Sequence, residues 1–234
     1  MWQALYAELK SEGTPFMVVS VAEDSRGAAG PRPWIEKAKA EYWNLIDSEH
    51  RVGDLYGLVN VPQAVWIDEQ GLIVRPPENP GWTDDWRHNA GKLLEMTPEE
   101  RASRGRLMSP EQTSARDAGR IAYMDALKSW VRTGRYALPA DEARRHLPPN
   151  TPGIAEAQAH FRLGVWLRLH GKEAEGDLHL AEASRLHPES WSIWRQAADL
   201  AEVGRSAGPE FLARMAALGD KPYYPAPDLP GFRG

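Results

Sequence analysis

The alternation of apolar and polar positions divides the chain into a first third that mixes strand and helix patterns and a remainder that is helical. Trp2, Leu5, Tyr6 and Leu9 recur at helical spacing. They predict an amphipathic helix over residues 1–12, ended by Gly13. Residues 15–22 are short, apolar and β-branched, the pattern of a buried strand. A turn-rich stretch, 24–32, follows. Pro33 then opens a predicted helix continued by Trp34, Ile35, Ala38 and Tyr42. Residues 45–47 predict a very short strand, and 51–57 a short helix with Val52, Leu55 and Tyr56 inward. Residues 63–68 predict a strand. Glu69, Gln70 and Gly71 form a tight turn in which glycine supplies the positive φ, and 72–75 return as a strand closed by Pro76 and Pro77.

The pattern changes after residue 78. Residues 78–96 are rich in Gly, Pro, Asn, Asp and Trp and predict an irregular connection. Two capping boxes follow, at Thr97–Glu100 and at Ser109–Gln112, each with proline at the first helical position. The second introduces a helix carrying Ala118, Ile121, Met124, Leu127 and Val131, ended by Gly134. Further helices are predicted over 154–170, 174–187, 190–203 and 209–218. The proline-rich tail, 221–234, with Tyr223 and Tyr224, is expected to lie extended along the surface.

Charge and composition narrow the function. The 234 residues carry a mild net charge of −5 and no long basic run, which argues against a nucleic-acid partner. No apolar stretch approaches the roughly 18 residues of a membrane helix, and the N-terminus has neither the basic lead nor the apolar run of a signal peptide. As written the chain is expected to be cytoplasmic, and extracytoplasmic if a signal lies upstream. The ten tryptophans are read as core and packing residues. The decisive count is zero cysteines, which excludes disulfides, thiolate-bound zinc and thiol catalysis by these residues.

The segment Tyr56–Pro62 (YGLVNVP), followed by Trp66-Ile67-Asp68 and Glu69-Gln70-Gly71-Leu72-Ile73-Val74, resembles the corresponding stretch of thioredoxin-like proteins. The nearest types are the thiol-disulfide oxidoreductases and the alkyl hydroperoxide reductase/thiol-specific antioxidant group. Residues 18–21 resemble their preceding strand, and Asn44–Asp47 a further stretch. The resemblance covers about residues 1–78. It implies a cis bond at Val61-Pro62 facing a redox motif, with Val61 and Pro62 as the substrate-binding residues, and a peptide or protein thiol, a disulfide or a peroxide as substrate. It also implies a central strand and a Cys-x-x-Cys or single-cysteine motif before the first helix, and this chain contains neither. Three explanations stand open. The first residue is an internal Met of a longer chain; or, as a specific version, the missing motif holds a selenocysteine whose codon is read as stop; or the chain is a cysteine-free relative that has become a binding module.

Residues 160–188 resemble one tetratricopeptide repeat through Leu163, Gly164, Leu167, Gly171, Gly176, Leu180, Ala183 and Pro188. The resemblance implies a helical hairpin and a possible protein partner. His160, His170, His179 and His187 lack any zinc spacing and are read as ordinary packing or surface histidines. Glu23-Asp24 is read as a solvated turn in preference to a group tuning a redox pKa. Asp84-Asp85 and Glu99-Glu100 are read as charges at helix N-termini. The expected fold is therefore α/β: an incomplete thioredoxin-like domain (1–78), a linker (79–108), an α-helical tetratricopeptide-like domain (109–220) and a tail (221–234). No catalytic residue, metal ligand or cofactor is assigned. The function expected is a redox protein inactive without its motif, the alternative a non-enzymatic interaction module.

Overall fold

The computed structural model describes residues 1–25, 27–83, 95–97, 99–100, 110–197, 209–230 and 232. Asp84-Asp85, the cap at Ser109 and the end of the helix predicted to reach residue 203 lie outside them. The fold is mixed α/β and about 53% helical, with two small sheets among the described residues, so helices dominate the architecture.

The chain forms two compact units. The first joins Met1–Pro77 to Lys128–Ala197, and the second joins Glu78–Leu127 to Ala198–Gly234. In the first unit, α1 (Trp2–Ser11) buries Leu5, Tyr6 and Leu9. Strand β1 (Val19–Glu23) pairs in parallel with β2 (Trp43–Asp47), Val19 opposite Trp43 and Glu23 opposite Asp47. The strand predicted from residue 15 begins only at Val19, where a partner strand becomes available. Met17 and Val19 are exposed rather than buried. Between the two strands, α2 (Arg32–Ala38) stops at a left-handed Lys39, short of Tyr42. Next, α3 (Arg51–Tyr56) ends at Gly57, whose φ of 65° suits glycine. Leu55, expected inward, is exposed, because this short helix buries only its Gly53 side.

Strands β3 (Ala64–Ile67) and β4 (Ile73–Glu78) form the second sheet. The short turn between them allows only antiparallel pairing, and Gly71 sits at φ 78° within it. Strand β4 runs through Pro76 and Pro77 instead of stopping there. Prolines are admissible on a strand edge because no ladder bond there needs their missing N–H. Farther along the chain, the Leu138 N–H donates to the Val74 carbonyl (2.9 Å). Trp66 is buried against Trp130 with ring centroids 5.1 Å apart, and the Arg75 guanidinium lies over the Trp66 ring.

The helical part of this unit contains the end of α4 (Pro110–Thr133), α5 (Ala140–Arg145), α6 (Pro152–Leu169), α7 (Glu173–Leu186) and α8 (Trp191–Ala197). Thr151 caps α6 by accepting the Ile154 N–H. Helices α6 and α7 form a hairpin whose core is Ala157, Phe161, Val165, Leu180 and Ala183, joined by Ile193 of α8. They approach closely at Gly164 and Gly176. A Cβ on Gly164 would stand 2.7 Å from Leu180 Cγ and 2.9 Å from the Gly176 oxygen. Lys128 and Arg132 of α4 bind Glu8 of α1 at 2.8 and 2.9 Å.

In the second unit, Tyr123, Met124 and Leu127 of α4 are buried, as are Phe211, Leu212 and Met215 of α9 (Pro209–Ala217). Ile121, predicted on the inward stripe of α4, is exposed. Trp82 receives the guanidinium groups of Arg116 and Arg120 on its ring. The tail does not lie wholly on the surface. Tyr223 and Leu229 are buried, with Tyr223 set edge-on to Phe211. The capping box at Thr97 and Glu100 forms reciprocally: Thr97 N–H donates to Glu100 Oε2, and Glu100 N–H to Thr97 Oγ1.

Candidate functional site

The carboxyl ends of parallel strands are where open α/β sheets place their ligands, because the chain diverges there. In the first unit those ends carry Glu23 on β1 and Asp47 on β2. Asp47 is buried, and its carboxylate accepts the N–H groups of Arg51 and Val52 at 2.8 and 2.6 Å, with a longer contact to Gly53. It thus satisfies the free donors at the start of α3 from outside the helix. His50, just before that helix, is held at φ 53°.

This turn brings His50 to Glu23. Their side chains are 7% and 6% exposed, with Nδ1 3.7 Å from Oε2. The separation is too long for a hydrogen bond. Glu23 Oε1 and both ring nitrogens of His50 are buried without a hydrogen-bond partner. Glu23 was read from the sequence as part of a solvated turn. It is enclosed instead because Gly53 leaves room for it: a Cβ there would stand 2.2 Å from Glu23 Oε1. Phe161 of α6 packs edge-on against His50 at 5.0 Å. Ser192 of α8 donates its hydroxyl to Glu23 Oε2 at 3.1 Å.

Ser192 also links this pair to the loop before β3. The N–H groups of Trp191 and Ser192 both donate to the Val59 carbonyl, at 2.6 and 3.2 Å. The Val59 N–H donates to Gln63 Oε1 at 3.2 Å. Both backbone groups of Val59 are thus engaged inside the chain, which fixes the approach to Val61 and Pro62. The Val61–Pro62 bond is cis. Val61 is 37% exposed, but its N–H donates to Asn60 Oδ1 at 2.9 Å. An added strand would have to displace that side chain to use this donor.

Chemically, Glu23 and His50 are a carboxyl group and an imidazole with unfilled hydrogen-bonding capacity, next to a loop whose Val59 backbone groups are both hydrogen-bonded. Buried polar atoms without a partner are uncommon in folded proteins. Sequence reasoning missed His50 and Ser192. The local signals were weak: a single histidine between a strand and a helix, and a serine in a helix start 142 residues away.

The structure brings two of the four weighed histidines together. His160 on α6 and His179 on α7 face each other with Nδ1 atoms 2.9 Å apart. His170 instead stacks on Trp166 and reaches that residue's carbonyl. Burial pushes the His187 imidazole below the ordinary histidine value of 6.5, against a smaller opposing effect of Glu189. Among the described residues, no group of three or more His, Cys, Asp or Glu is arranged to hold a metal ion, and no helix is long and apolar enough to cross a membrane.

No known protein family, curated protein or solved structure matches this chain.

Proposed function

We propose that the first unit is a thioredoxin-like scaffold serving thiol- or selenol-disulfide exchange or peroxide reduction, with the redox motif supplied by chain outside these 234 residues. One observation carries this reading. Among the described residues β1 pairs only with β2, and β3 only with β4, so two short sheets stand in one unit unjoined to each other. Trp43 (65% exposed), Leu45, Val19 and Ile67 leave apolar side chains of these strands in solvent. Short two-stranded sheets with uncovered apolar positions gain both hydrogen bonds and burial when a further strand is added. The resemblance of Tyr56–Val74 to thioredoxin-like sequences gives that strand its place, between β1 and β3, and gives it the redox motif. Glu23 and His50 would then lie near the motif, and Val61 and Pro62 would shape the substrate face.

The test compares residues 1–234 with a chain extended upstream by its own in-frame coding sequence. Each is assayed for reduction of a protein disulfide by a dithiol and for dithiol-dependent consumption of peroxide. The short chain is expected to be inert and the extended chain active. An extended chain that is also inert sinks the redox reading.

The alternative is a non-enzymatic interaction module. It is favoured by Leu163, Trp166 and Leu169, which lie exposed on neighbouring turns of α6. An inert extended chain that still binds a peptide, with binding lost in Trp166→Ala, would support it.

A further inference from the structure

We infer that His160 and His179 form a two-nitrogen chelating site for a divalent transition metal, selective for Cu²⁺ and Ni²⁺ over Zn²⁺. The inference is independent of the redox reading. The two residues are 19 positions apart and come from different helices, so no sequence spacing advertises them. The hairpin that presents them is closely packed: its helices meet at Gly164 and Gly176, and Phe161, Leu180 and Ala183 lie in its core. Both rings are half-buried, and their Nδ1 atoms face each other at 2.9 Å.

Two nitrogens this close must share something between them, because two lone pairs facing each other repel. Either one ring donates a proton to the other or a cation binds both. The distance suits a cation of a particular geometry. Metal–imidazole bonds of about 2.0–2.1 Å meeting at a right angle place the two nitrogens about 2.9 Å apart. A tetrahedral angle would need about 3.3–3.4 Å. Right angles belong to square-planar and octahedral ions, tetrahedral angles to zinc. The ring centroids are 5.0 Å apart with planes inclined at 40°.

Glu182 lies one turn beyond His179 on α7. Its carboxylate is held by Arg185 at 2.5 and 2.7 Å. The protein therefore supplies two nitrogens, and water fills the remaining positions. Such a bridge ties α6 to α7 and stabilises the folded state by mass action.

The experiment is thermal unfolding of the 234-residue chain with CuCl₂, NiCl₂ or ZnCl₂, together with electron paramagnetic resonance of the Cu²⁺ form. Copper and nickel at about a hundredfold excess over Kd should raise Tm by about 5 °C or more. Zinc should do so less. The copper spectrum should show two nitrogen ligands. His179→Ala and His160→Gln should each lose the Tm rise and one nitrogen signal, whereas His170→Ala should keep both. If a histidine variant fails to fold, the nitrogen count in the unaltered chain still decides the matter. The inference is overturned if Cu²⁺ leaves Tm unmoved, if His179→Ala keeps the full rise, or if the spectrum shows ligands other than two imidazoles.

Discussion

At the scale of single residues, the features that organise the candidate site are polar groups recruited across long sequence distances. Asp47 is the clearest. Its carboxylate ends β2 and accepts the first N–H groups of α3, so one side chain fixes both the strand end and the turn that delivers His50. Asp47→Ala is expected to cost about 1–2 kcal/mol, seen as a lower urea midpoint with an unchanged m-value. His187 sets a pH dependence. Its folded-state pKa lies below 6.5 because burial disfavours the charged ring, so the unfolded chain binds the proton more readily. Its contribution to stability is present above about pH 6.5 and is lost as pH falls from there through the folded value. Melting curves between about pH 7.5 and 5.5 should show that loss, and His187→Gln should show less of it. None of these roles was visible as pattern. Glu23 and Asp24 look like any acidic turn, and Glu23 becomes a buried group only because Gly53, thirty residues on, leaves the space for it.

At the scale of elements, legibility followed periodicity. The hairpin of α6 and α7 was readable because small and large residues alternate where two helices must touch: Gly164, Gly176, Leu180 and Ala183. The hairpin turn at Gly71 was readable because its φ of 78° leaves few other choices. The strand predicted from residue 15 was misjudged because an apolar run says nothing about where its partner begins. The six-residue α5 has no clear pattern in the sequence, and β4 is legible as a strand but not in its continuation through Pro76 and Pro77, because tertiary contacts override weak local preference there. The glycine contact yields a sharp expectation. Gly164→Ala and Gly176→Ala each drive a methyl group into backbone or Leu180 atoms and should destabilise by about 1–3 kcal/mol. Gly153→Ala, in the same helix as Gly164 but with open space around it, should be neutral or stabilising by up to about 1 kcal/mol. Denaturant unfolding of the three variants separates a packing effect from a general effect of alanine.

At the scale of the whole molecule, the linear order of patterns does not reveal that the first unit is assembled from two stretches of sequence, Met1–Pro77 and Lys128–Ala197. The mixing of strands and helices in the first third, and the helical character of the rest, were legible. Trp130 covering Trp66, and Ser192 reaching Glu23, were not, because each is a contact between stretches that look self-sufficient. Residues 1–77 expressed alone should accordingly lack a cooperative melt, and adding residues 128–197 in trans should restore one, as followed by circular dichroism. The same two-part construction sets a clock during synthesis. At about 5–20 residues per second, roughly 6–24 s separate the emergence of Pro77 from that of Ala197. For that interval the nascent β1–β2 and β3–β4 segments lack the helices that cover Trp66, His50 and Glu23. During that interval Trp66, which the finished protein buries, lies open on the ribosome as well.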